Sequence, residues 1–124
     1  MSASVYRAAV VVALAQLFAL SASAFECPIP QPLAQPGVLK ETSAQINRLS
    51  NLLASGDDEN RIVVTVDDLR ARYPGIENAE IVNYLIAADC PVVAKIDGLG
   101  EQGKQARLDR FGSIAAKIVY QGSH

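Results

Sequence analysis

Asn78-Ala79-Glu80-Ile81-Val82-Asn83-Tyr84-Leu85-Ile86-Ala87-Ala88-Asp89-Cys90 is the stretch on which the fold turns. Ile81, Val82, Leu85 and Ile86 form an apolar stripe at helical spacing, and Ala88 continues it. Asn78 is a capping residue type, and Glu80 falls in the first turn, where an acid suits the positive end of a helix. The spacing predicts a helix over 78–90, and its apolar density makes it the central helix of the core. Cys90 stands at its end. Pro91 is placed to begin a new turn, with Val92, Val93 and Ile96 as a further buried turn. Asp97-Gly98-Leu99-Gly100 then reads as a connector.

Toward the C-terminus, Gln102 to Tyr120 reads as a last helix. Leu108, Phe111, Ile114 (or Ala115) and Ile118 share one side of it, while Lys104, Arg107, Arg110 and Lys117 lie mainly off that side. Gly103 and Gly112 each weaken a helix by about 1 kcal/mol relative to Ala, and Gly112 suits close approach of another helix. Residues 121–124 read as a frayed tail.

Toward the N-terminus, Val38 to Ser55 reads as a first helix on the recurrence of Leu39, Ile46, Leu49 and Leu53, ended by Gly56. Asp57-Asp58-Glu59-Asn60 reads as a solvated turn. Three adjacent carboxylates without the spacing of a calcium loop are weak grounds for a cation site. Residues 61–66 leave strand and helix both open, because Ile62, Val63, Val64 and Val66 are β-branched. Thr65-Val66-Asp67-Asp68 resembles a helix start, so a short helix is expected from about Val66 to Tyr73, stopped by Pro74-Gly75.

Before this block, residues 25–37 carry Pro28, Pro30, Pro32 and Pro36, which exclude a helix and suggest an extended strap or leader. Residues 1–24 have the form of a secretory signal peptide. Arg7 is the only charged side chain before Glu26, Ala8 to Leu20 is apolar except for Gln16, and Ser21-Ala22-Ser23-Ala24 is a small-residue cleavage site. The expected cut lies between Ala24 and Phe25. The apolar run is shorter than the roughly 20 residues of a spanning helix, so no stable membrane insertion is expected after cleavage. Phe25 and Glu26 before Cys27 do not fit a lipoprotein cleavage site, which speaks against a lipid anchor.

Cleavage would leave 100 residues, enough for one domain, with 10 basic and 13 acidic side chains. A net charge of −3 argues against bulk binding to nucleic acid or an anionic membrane. With no Trp, the core must be mostly Leu, Ile, Val and Ala. Such lean cores gain from a covalent staple. In an exported chain the two cysteines suggest a disulfide, and Cys27 with Cys90 is the one available pairing.

The chain offers little to catalysis. His124 is the only histidine and is terminal, so Ser-His-Asp and Cys-His systems and ordinary zinc sites are not supported. Neither Cys-x-x-Cys nor a Gly-rich phosphate loop is present. No catalytic residue, cofactor or metal site is expected. Asp67 and Asp68 read as a capping turn, and Glu77 with Glu80 as first-turn acids. Arg70, Arg72, Arg107 and Arg110 could gather into an anion-binding patch, but a solvated helix face explains them as well. Tyr84, Arg107 and Arg110 remain as candidate interaction residues.

Leu69-Arg70-Ala71-Arg72-Tyr73-Pro74 and Asn83-Tyr84-Leu85-Ile86-Ala87-Ala88-Asp89-Cys90-Pro91-Val92-Val93 together resemble small exported bacterial proteins of unknown function. The resemblance covers the middle third to half of the mature chain. It implies an exported helical domain and no activity.

The expectation is an all-α domain of three to five helices over 38–120, with a proline-rich N-terminal strap tied by Cys27 to Cys90. Its expected location is the periplasm or the extracellular space. Its expected role is that of a non-catalytic accessory or binding protein. A subunit of an envelope complex and a thiol redox protein using Cys27 and Cys90 are the alternatives.

Overall fold

The computed structural model of the protein describes residues 25–27 and 37–122. The leader through Ala24, the segment carrying Pro28 to Pro36, and His124 lie outside the described residues. The described chain is all-helical, with four helices: α1 (Ser43–Ala54), α2 (Asp58–Arg72), α3 (Asn78–Ala94) and α4 (Glu101–Gln121).

α1 starts later than Val38 because a capping box fixes its origin. Thr42 Oγ1 accepts from the Gln45 amide at 3.2 Å, and Gln45 Oε1 accepts from the Thr42 amide at 2.7 Å. The residues before it are held elsewhere. Glu80 of α3, buried at 7 % exposure, accepts from the Leu39 amide at 2.7 Å and the Val38 amide at 3.3 Å. A first-turn acid of α3 thus anchors the lead-in to α1.

α2 departs furthest from the sequence reading. Residues 57–60 are not a solvated turn. Gly56 (φ 90°) and Asp57 (φ 60°) turn the chain through the left-handed region, Asp57 is the N-cap, and Asp58 and Glu59 lie in the first helical turn. The Asp57 carboxylate accepts from Asn60 Nδ2 at 2.9 and 3.0 Å, which fixes this bend. Residues 61–66 are helical rather than extended. Ile62, Val66 and Leu69 recur at four and three residues and are all buried, while Val63 and Val64 face out. Burial of that stripe outweighs the β-preference of the branched residues, which is a weak term. Thr65, expected as a cap, sits mid-helix with its hydroxyl donating to the Arg61 carbonyl at 2.7 Å. Asp67 and Asp68 are exposed mid-helix residues, not a capping turn.

α3 also corrects the expectation, because Pro91 lies inside it and the helix runs on to Ala94. The carbonyl that a proline at this position leaves without its helical donor belongs to Ala87, on the exposed side of the helix, where the loss costs least. Cys90 is therefore fully buried within the helix rather than at its end. The N-cap is Glu77, one residue before the expected Asn78. On α4 the buried face is Leu108, Phe111, Ala115 and Val119, with Ile114 and Ile118 at its margin.

α3 packs against α1 on one side and α4 on the other, and α2 packs chiefly on α4. The contact between α1 and α2 is sparse, so the ring of helices has one open seam. Leu49, Leu53, Ile62, Val66, Leu69, Ile81, Leu85, Phe111 and Val119 share one core. A smaller cluster joins Cys90, Val93 and Leu108, with Phe25 packed against it. The disulfide is formed: Cys27 is bonded to Cys90 across 63 residues, which ties the start of the described chain to α3.

Gly112 lies at the α3–α4 contact, where an added Cβ would stand 3.2 Å from Ile86 Cδ1. Gly112→Ala is expected to be near neutral, since about 1 kcal/mol of helix propensity offsets the crowding. Gly112→Val is expected to destabilise by about 1–3 kcal/mol in urea unfolding. Equal stability of the two variants would show that the contact is loose.

Candidate functional site: the open seam between the first two helices

The seam between α1 and α2 is a groove of about 460 Å³. Leu49 and Leu52 of α1 and Val64 and Leu69 of α2 form its apolar walls, and Gln45, Arg48 and Asp68 lie along its polar edges. Val64 is 64 % exposed, an unusual position for a large apolar side chain.

One end of the groove is closed by a polar cluster built from three segments. Glu41, two residues before α1, accepts from Arg72 Nη1 at 2.9 Å and Arg72 Nη2 at 3.0 Å. The same carboxylate accepts from the Tyr73 hydroxyl at 2.7 Å and the Tyr84 hydroxyl at 3.1 Å. Arg72 also pairs with Asp68 one turn back, at 2.8 Å. The Glu41 side chain is only 4 % exposed, and the two-pronged contact with Arg72 suits both its burial and its charge.

These contacts set the protonation states. The Arg72 hydrogen bonds, helped by the two tyrosines, hold the Glu41 carboxyl at about 2. Desolvation, and then the Glu41 charge, push the Tyr84 hydroxyl well above its ordinary value, and the Glu41 hydrogen bond raises that of Tyr73. No member of the cluster is poised to exchange a proton near neutral pH, as a general acid or base would be. The cluster is a lock between the α1 lead-in, the end of α2 and α3.

The candidate interaction residues do not converge. Tyr84 is 8 % exposed and belongs to the core, touching the groove only as a wall, so it does not present an exposed face. Arg107 and Arg110 are exposed on α4, away from the groove. The four arginines form no common patch. Arg72 serves Glu41 and Asp68, and Arg70 Nη2 donates to Asn78 Oδ1 at 3.1 Å and to the Val119 carbonyl at 3.0 Å. Glu77 and Glu80 also separate, one exposed at the α3 N-cap and the other buried on the α1 lead-in.

A second concavity, of about 340 Å³, lies where the end of α1 and the start of α2 meet α3. Arg107 stands at its border beside Asp57, Asp58 and Asp89. Asp89 is 5 % exposed. Burial pushes its carboxyl up to about 6, Asp58 adds to the rise, and Arg107 opposes it.

Sequence reasoning singled out neither Glu41 nor Asp89. For Glu41 no local signal exists, since its partners lie 31, 32 and 43 residues away. Asp89 did carry a signal, because it stands four residues from both Leu85 and Val93, on a buried helix face.

No protein-family model, no curated protein and no solved structure matches this chain.

Proposed function

We propose that this is an exported, non-catalytic binding protein that acts through the α1–α2 groove. Its ligand on this reading is an amphipathic segment of a partner protein in the same compartment, periplasmic or extracellular. The observation that carries the reading is the open seam itself. Leu49, Leu52, Val64 and Leu69 line a channel between two helices, and its edges are polar. That pattern suits a segment that lays apolar side chains into a groove and keeps its polar face outside. The locked state of Glu41, Arg72 and Tyr84 supports recognition over catalysis.

Export is supported by the leader sequence and by the disulfide, which belongs to oxidising compartments. Among the described residues no helix is long and apolar enough to cross a membrane. The Phe25 backbone nitrogen donates to the Glu101 carboxylate. A cut after Ala24 would turn that nitrogen into an ammonium group and the contact into an ion pair.

The test is a photo-crosslinking residue placed at Val64, in the groove, and at Ala106, on the exposed side of α4. In cells that make the full chain, Val64 is expected to give a discrete adduct and Ala106 none. Adducts of equal yield from both positions, or none from Val64, would overturn the reading. An adduct that co-purifies in fixed proportion with the uncrosslinked pair would favour a stable envelope complex over a transient binder.

A further inference from the structure

We propose that the cavity around Asp89 is a binding site for an alkylammonium group, carried by a short aliphatic amine or diamine. The inference goes beyond the groove and does not depend on it. A buried carboxylate is costly unless something donates to it. Asp89 is 95 % buried as a residue, yet no described residue donates a hydrogen bond to its carboxylate, both ion pairs among the described residues belong to Arg72, and its oxygens open onto the cavity rather than being sealed in the core. It lines an open cavity of about 340 Å³, so a donor can reach it from solvent.

The rest of the lining narrows the chemistry. Asp57, the N-cap of α2, and Asp58, its first residue, line the same space, and Arg107 is the one cation on it, so the local charge favours a cationic ligand. α1 contributes only Leu53 and Ala54 there, with no charge. Among the described residues no group of three or more acidic, histidine or cysteine side chains could hold a metal ion, which points to an organic cation. Leu53, Val92, Val93 and Ile96 offer apolar wall for a methylene chain. The positive charge of Arg107 opposes a densely charged polyamine. Burial pushes the Asp89 carboxyl up to about 6, so Asp89 is charged at neutral pH and uncharged in acid, where the site loses one of its negative charges. An ammonium ion bound there would hold the proton off.

The test is calorimetric titration of the full, disulfide-intact chain with n-butylamine, 1,4-diaminobutane and uncharged n-butanol. At pH 7.5 the two amines are expected to bind and butanol is not. At pH 4.5, and in Asp89→Asn at pH 7.5, amine affinity is expected to fall at least tenfold. Absence of amine binding at pH 7.5, equal affinity in Asp89→Asn, or equal binding of butanol would overturn the proposal. The comparison of the two pH values uses the unaltered protein and decides the matter even where the variant fails to fold. A parallel titration with Nα-acetyl-lysine amide separates the sources. Binding of the simple amines alone indicates a free metabolite, and binding of all of them indicates that a lysine side chain is also accepted.

Discussion

Reduction of the Cys27–Cys90 bond is expected to lower the melting temperature by roughly 15–30 °C. The bridge closes a loop across 63 residues, most of the folded domain. Cross-linking a loop of that length removes about 4 kcal/mol of chain entropy from the unfolded state. A domain near 100 residues shifts by about 4–8 °C for each kcal/mol. Two features of the fold raise the stake. The core is mostly aliphatic, the chain has no Trp, and Phe25, two residues from Cys27, packs on the Cys90 cluster. Calorimetry with and without reductant, repeated on Cys27→Ala, checks this. Cys27 is exposed, so that variant removes the bond without opening a cavity in the core. A shift below about 5 °C in both experiments would show that the folded state does not depend on the bridge. Cys90 is fully buried and Cys27 is exposed, so an attacking thiolate reaches the bond at the Cys27 sulfur.

Stability is expected to peak near pH 4 and to fall on both sides. Asp89 titrates at about 6 when folded against 3.8 as a free carboxyl, so the folded state holds the extra proton between those values. Stability therefore falls as pH rises through that window, by on the order of 3 kcal/mol in all. Glu41 has the opposite sign. Its carboxyl stands at about 2 when folded against 4.5 as a free group. It contributes on the order of 3 kcal/mol above pH 4.5, and this is lost as pH falls toward 2. Melting curves from pH 2 to 8 check the profile. Asp89→Asn is expected to raise the melting temperature at pH 7.5 and to flatten the curve between pH 4 and 6. Glu41→Gln is expected to remove most of the acid-side decline. A wild-type melting temperature that does not change from pH 4 to 7 would mean that Asp89 is solvated in the native state.

Much of the helical framework was legible because periodicity is a local property. Ile81 and Leu85 on α3, and Leu108 and Phe111 on α4, sit where the spacing puts them. The same rule failed over 61–66, where β-branched side chains weigh against a helix locally and the buried stripe of Ile62, Val66 and Leu69 overrules them. It failed again at Pro91, which ends a helix by local rules and does not end this one. The candidate sites were less legible. Tyr84, Arg107 and Arg110 stand out in the sequence only by residue type. Their positions depend on which helix covers them, and the covering segments are remote in sequence.

The amino-acid order by itself determined an all-helical class, the existence of α1, α3 and α4, and the only pairing two cysteines allow. Each follows from neighbours within a turn or two, or from counting. Tertiary structure alone decided that α2 begins at Asp58, that α1 and α2 leave a seam open, that Glu41 is locked by Arg72 and Tyr84, and that no described residue hydrogen-bonds the Asp89 carboxylate. The physical reason is common to all four. Desolvation and the pairing of polar groups depend on what packs against a residue from elsewhere in the chain, and no local pattern records that.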